Sequence, residues 1–207
     1  RFSQNSLADR KFDEMSEQVS YVDGALTVEQ VPFARIADEV GSPVYVYSKA
    51  GMTARYRALE GALAGLPVSI YYALKANSNL AVIRLFGELG AGMDVVSGGE
   101  MQRSLRAGVA ADRIVFAGVG KTADEMAAAL DAGIHQFNVE SENELRLLNQ
   151  VAASKGVIAP GAIRVNPDVD AKTHAKITTG RKENKFGIDI ERAPDMFALA
   201  ATLENIS

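Results

Sequence analysis

Lys75 closes a short apolar run, Tyr71-Tyr72-Ala73-Leu74, and opens a polar one, Ala76-Asn77-Ser78-Asn79. The first run has the aromatic character of a strand and the second the small polar character of a turn, so the lysine falls where a strand ends. An amine in that position either lies along the surface with its head in water or faces a cleft. In a cleft with few counter-charges, desolvation lowers its pKa. The neutral amine that results can attack a carbonyl, which is how a lysine comes to hold an aldehyde as a Schiff base. Two further charged residues sit inside apolar strand sequence, Asp94 in Gly92-Met93-Asp94-Val95-Val96 and Arg164 in Ile163-Arg164-Val165. Burying either one alone is costly, so each needs an opposite charge or several hydrogen bonds, and each is a candidate partner for the other. The pair reads either as a structural ion pair or as part of a binding pocket.

Other chemistry-bearing stretches are less specific. Ser97-Gly98-Gly99-Glu100 lies between a strand and a helix, where free N–H groups collect and a first-turn carboxylate is favourable. Asn138, Glu140, Ser141 and Glu142 form an acidic strand mouth and read mostly as helix capping. Gly118-Val119-Gly120-Lys121-Thr122 ends like a phosphate-wrapping loop but is too short to be one. From Asn166 to Gly187 no period holds, and the stretch carries Lys172, Lys176, Arg181, Lys182 and Lys185 beside His174. It reads either as a solvated excursion or as a loop that meets a small carboxylate or phosphate compound, with His174, Lys176 and Lys185 as candidate contacts.

The elements that must position these residues follow from periodicity. Strands are expected at Ser69–Leu74, Gly92–Val96, Arg113–Ala117, Gln136–Val139 and Ala162–Val165. Helices are expected at Asn79–Leu89, Gly99–Ala107, Thr122–Ala132 and Ser141–Lys155, two of them opening on a capping box, Thr122 with Glu125 and Ser141 with Glu144. Alternation of strand and helix implies a parallel sheet, either doubly wound or closed into a barrel. The glycine fingerprint of a dinucleotide-binding open sheet is missing, and polar residues collect at successive strand ends, so the barrel is the expected fold. Upstream, Val19–Val28 reads as a hairpin turning at Asp23-Gly24, Pro32–Val40 as a helix with one buried face, Pro43–Tyr47 as a strand and Met52–Ala64 as a helix.

Composition narrows the function classes. The net charge of -4 argues against a nucleic-acid partner, and the lack of cysteine removes disulfides, thiolate nucleophiles and Cys-ligated metals. His135 and His174 match no spaced metal motif, so no metal site is expected. Apolar runs are too short to span a membrane, and Arg1–Ser20 is too acidic for a signal peptide, which makes the cytoplasm the expected location.

With those residues in view, the chain resembles the bacterial diaminopimelate decarboxylases, members of the alanine-racemase-like (fold type III) pyridoxal-phosphate enzymes. The resemblance runs through Pro43–Ser48, Tyr72–Asn77, Asp94–Glu100, Phe116–Thr122, Phe137–Glu142 and Arg164–Asp170, and on through Thr173-His174, Thr178–Gly180 and Lys185–Gly187. Val-Ser-Gly-Gly-Glu, Gly-Val-Gly-Lys-Thr and Asn-Pro-Asp-Val-Asp favour this decarboxylase over its ornithine and arginine relatives. The resemblance implies that Lys75 anchors pyridoxal 5'-phosphate, that Ala73, Asn77, Asp94, Glu100 and Arg164 line or support the cofactor pocket, and that meso-2,6-diaminopimelate is converted to L-lysine and CO2. It also implies an α/β fold, an incomplete (β/α)8 TIM-like barrel with about five of its strands present, in a chain about half the length of family members. On that basis residues 43–207 would be a partial cofactor-binding barrel and residues 1–42 would belong with a β domain further along or with a homodimer surface. Little activity is expected of this stretch alone. The alternatives are another fold type III enzyme, either an ornithine or arginine-type decarboxylase or a racemase, and a non-catalytic pyridoxal-phosphate-binding or oligomerising scaffold.

Overall fold

The computed structural model describes residues 18–167 and 186–207. The chain divides into two compact units, Arg1–Val68 and Ser69–Ser207.

In the first unit, strands β1 (Val19–Val22), β2 (Ala25–Val28) and β3 (Val31–Pro32) form an antiparallel sheet in that order. The turn between β1 and β2 puts Asp23 and Gly24 at φ 49° and 76°, the doubly left-handed geometry that this dipeptide tolerates. Helix α1 (Phe33–Val40) begins directly after Pro32, but its expected buried face is only half covered: none of its residues is buried and Val40 is exposed. Pro43–Tyr47 is not a strand. An apolar run becomes one only when a neighbour takes up its hydrogen bonds, and no described strand pairs with it. Helix α2 (Lys49–Ala62) is capped by Ser48, whose Oγ accepts from the Gly51 N–H at 2.8 Å and donates to Glu29 Oε1 at 2.5 Å.

The second unit carries the expected βα alternation. Strands β4 (Tyr71–Ala73), β5 (Gly92–Val95), β6 (Ile114–Phe116), β7 (Gln136–Val139) and β8 (Gly161–Ile163) are all parallel and lie in chain order. Helices α3 (Leu80–Leu89), α4 (Gly98–Arg106), α5 (Ala123–Ala132) and α6 (Glu142–Lys155) connect them. Sequential order without reversal is the arrangement of a barrel arc rather than a doubly wound sheet. Between strands and helices lies a continuous core that includes Leu74, Ile83, Met93, Ile114, Phe116, Phe137 and Leu148, each fully shielded from solvent. Gly92 is required where it stands, because a Cβ there would overlap the Tyr71 ring and come within 2.8 Å of the Arg113 carbonyl oxygen.

The expected last strand, Ala162–Val165, is divided at Arg164. Its first part, β8, pairs with β7, while β9 (Val165–Asn166) pairs in parallel with β10 (Ile188–Asp189). Arg164 joins the two ladders through its main chain: its N–H donates to the Val139 carbonyl at 2.9 Å and its carbonyl accepts from the Ile188 N–H at 2.7 Å. Helix α7 (Ala193–Ala200) follows, and Ile206 then forms a parallel bridge with Ala159, to whose carbonyl the Ser207 N–H donates at 3.0 Å. Among the described residues no helix is long and apolar enough to cross a membrane.

Candidate functional site at the strand mouth

Lys75 sits in a single 3-10 turn, Leu74–Ala76, that follows β4 immediately. Leu74 is fully buried and pins the turn to the core, which leaves the Lys75 side chain exposed on the mouth side. Asn77 completes the geometry: its Oδ1 accepts from the Asn79 N–H at 3.0 Å and its carbonyl accepts from the Tyr72 hydroxyl at 3.1 Å. The lysine thus stands on a short turn held at both ends. That rigidity suits an anchoring role better than a free loop would.

Asp94 is the register partner of Ala73 on the neighbouring strand, so it lies next to the start of the lysine turn. Its Oδ1 is buried and has no hydrogen-bond partner among the described residues. Burial pushes its carboxyl above the ordinary carboxylate range, the positive charge of Lys75 draws it back, and Glu100 raises it further, with smaller contributions from Arg164 and Glu140. Because the native state holds this proton more readily than the unfolded chain, stability falls as pH rises through the interval between the two pKa values. Asp94→Asn removes that dependence. The apo form of the full-length variant is expected to melt above its parent at neutral and alkaline pH and level with it in acid, a difference that scanning calorimetry across the pH range would reveal.

Arg164 does not pair with Asp94. Its Nη1 donates to Glu140 Oε1 at 2.8 Å, with the Glu140 side chain 2% exposed and the Arg164 side chain 43% exposed. The guanidinium also lies over the Phe186 ring at 5.4 Å, and the Gly187 N–H donates to the other Glu140 oxygen at 3.1 Å. Glu140, read from sequence as a capping residue, is therefore the carboxylate that holds the arginine. Glu100 turns back to accept the Val96 N–H at 2.8 Å, so it braces the loop between β5 and α4. His174, Lys176 and Lys185 lie outside the described residues.

A repeated device shapes the rim. Helices α4, α5 and α6 each open with a Ser or Thr followed three residues later by Glu, and in each the hydroxyl accepts the N–H of that glutamate. Only Thr122 and Glu125 close the reciprocal box, and Glu125 reaches further, accepting the Gly98 N–H at 2.7 Å. That bond, with those from Thr122, holds the Glu125 carboxyl below its ordinary range. At Ser141 the expected box is only half formed. Glu144 turns away to accept from Lys121 Nζ at 2.6 Å and from the Glu140 N–H at 3.0 Å, because a buried ammonium is a stronger donor than a neutral cap amide. The threefold spacing of hydroxyl and glutamate was the signal in the sequence for these braces.

The arrangement can do three things. It presents an amine to solvent, keeps beside it a carboxyl that burial pushes above its ordinary range, and holds a clamped guanidinium at the end of β8. A buried acceptor with no partner next to an exposed amine fits a carbonyl compound that brings its own hydrogen-bond donors.

Comparison with known proteins points the same way. The model of the family described as pyridoxal-dependent decarboxylase, pyridoxal binding domain, matches residues 49–207. A diaminopimelate decarboxylase of Pseudomonas aeruginosa is 54% identical over 187 residues, which cover 90% of this chain and 45% of that protein. One from Vibrio cholerae is 50% identical over 184 residues, 89% of this chain and 44% of that protein. A solved diaminopimelate decarboxylase from M. jannaschii in complex with L-lysine superposes with a TM-score of 0.83 at 37% identity, over 92% of this chain and 46% of that one. The chain therefore spans about half the length of the relatives it matches.

Proposed function

The chain belongs to the pyridoxal-dependent decarboxylases through their pyridoxal binding domain, and from that premise we propose that the whole protein converts meso-2,6-diaminopimelate to L-lysine and CO2. The observation that carries this reading is the likeness to diaminopimelate decarboxylases, 54% identity across nine-tenths of the chain. The cofactor is pyridoxal 5'-phosphate, held by Lys75, with Ala73 and Asn77 flanking the anchor and Asp94, Glu100 and Arg164 lining or bracing the pocket. When bound, pyridoxal phosphate supplies an aldehyde for amines and a conjugated ring that takes up the electron pair left by a departing carboxylate.

The protein's own groups supply binding and proton control. The Lys75 amine anchors the cofactor and, once freed, can hold or give a proton. Asp94, on the neighbouring strand beside the lysine turn, places a carboxyl next to that amine. Arg164, fixed by Glu140, keeps donors at the mouth for an anionic group. In the net reaction one C–C bond breaks, CO2 leaves, and the carbon that keeps the electron pair takes a proton in its place.

The same reading makes the whole protein a cytoplasmic homodimer, residues 1–42 associating with the remainder of the protein or with the dimer surface, and this rests on the family resemblance alone. The test is to supply the full-length protein with pyridoxal phosphate and meso-diaminopimelate. Release of CO2 with an equal amount of L-lysine is expected. Interconversion of stereoisomers without gas would identify a racemase instead, and an unchanged substrate would leave only a binding role.

A further inference from the structure

Lys121 is a buried cation with no part in the reaction proposed above. Its side chain has no solvent exposure, and the end of its loop, Gly118-Val119-Gly120-Lys121-Thr122, looks in sequence like a phosphate-binding turn. The structure shows its ammonium turned inward and fully used. Its three N–H groups meet three acceptors: the Gly118 carbonyl at 2.6 Å, the Asn138 carbonyl at 2.8 Å and Glu144 Oε1 at 2.6 Å. No donor is left for a phosphate. The Phe116 ring covers the same ammonium at 5.7 Å.

What Lys121 holds leads to the mouth. Glu144 Oε2 accepts the Glu140 N–H at 3.0 Å, and the Glu140 carboxylate accepts from Arg164 Nη1 at 2.8 Å and from the Gly187 N–H at 3.1 Å. Each of the four carboxylate oxygens in the chain has a donor. The path runs from lysine through two glutamates to arginine, so its two positive and two negative formal charges cancel within the cluster. Glutamate is the only fit at position 144 among residues of its size, because both of its oxygens face donors. Glutamine would turn an N–H toward one of them.

We propose that Lys121, acting through Glu144 and Glu140, is a positioning residue that fixes the Arg164 guanidinium at the strand mouth. Its consequence for cofactor and substrate rests on the function proposed above, but the positioning itself is a property of the protein without ligands. The loop that resembles a phosphate turn serves instead as an internal strut, tying β6, β7 and the start of α6 to one arginine.

The experiment reads the arginine directly. In the full-length apoprotein, labelled with 15N, the guanidinium signal of Arg164 is identified by its loss in Arg164→Lys, and its hydrogen exchange is measured in the parent, in Glu144→Gln and in Lys121→Met/Glu144→Leu. The double variant leaves no unpaired buried charge and so keeps the protein folded if the single variant does not. Exchange at Arg164 is expected to quicken by at least about tenfold in both variants, the scale of a lost charge-assisted hydrogen bond. Amide exchange at Phe137, in the core of β7, should stay within about twofold of the parent, which separates positioning from general loosening. Arg164 exchange unchanged in either folded variant, or quickened only in step with Phe137, would overturn the proposal. In the loaded enzyme the pH midpoint of the cofactor absorption band should also move in Glu144→Gln. Because the exchange measurement uses neither substrate nor cofactor, it stands whether or not CO2 is released from diaminopimelate.

Discussion

On the function proposed above, replacing Lys75 by alanine in the full-length protein is expected to lower kcat/KM for meso-diaminopimelate by at least about a thousandfold, since the change would remove both the proposed covalent anchor and a proton carrier, each worth orders of magnitude. Lys75 is an exposed amine on a turn pinned by buried Leu74, and its charge acts on Asp94. No other lysine among the described residues shares that setting, since Lys121 is buried against three acceptors, Lys155 pairs with Asp131 at 2.7 Å on the last turn of α6, and Lys49 opens α2 with its charge acting on Glu29. Borohydride reduction of the loaded parent should therefore fix the cofactor to the peptide that contains Lys75, and mass spectrometry should find that peptide unlabelled in Lys75→Ala. Label on another lysine in the parent would refute the assignment.

The second large effect concerns stability. Phe137 lies on β7 with no solvent exposure, its ring 6.2 Å from that of Phe116 on the register-matched position of β6. Phe137→Ala removes one of the two largest fully buried side chains from an inner strand of the sheet, and the strands on either side leave it little room to collapse. The cost should be about 3–5 kcal/mol, against a total domain stability of roughly 5–15 kcal/mol. Urea denaturation of the apoprotein would register it as a lower midpoint. Arg146→Ala, which breaks only the exposed 2.9 Å pair with Glu142, serves as the contrast and should cost under about 0.5 kcal/mol. Since β7 runs directly into Glu140, the phenylalanine variant should also weaken cofactor retention.

The sheet was legible in the sequence because each βα unit carries its own punctuation. Apolar runs, a hydroxyl at the helix start and a glycine at its end are local signals, and Gly90, Gly133 and Gly156 do adopt left-handed caps. Partnerships between units were not legible in the same way. Nothing near Arg164 says that its strand changes neighbours there, because the choice depends on Ile188, far along the chain. Pro43–Tyr47 has strand composition yet finds no pairing strand among the described residues, which periodicity does not register. The acid at 140 was read as a cap because its neighbours Ser141 and Glu144 form the capping spacing. In the folded chain Lys121, from the preceding unit, takes Glu144 out of that box and leaves Glu140 to bind the arginine. Candidate site residues were thus found by type, while their partners were set by tertiary competition between donors.

The rim braces grip main-chain N–H groups. Glu100 holds Val96 through its amide alone, and Glu144 holds Glu140 the same way. An amide is supplied by every residue except proline, so the contour of the rim at Val96 is insulated from the identity of the side chain there. Such a scaffold can exchange the groups it displays, and so drift toward new ligands, while its curvature stays constant.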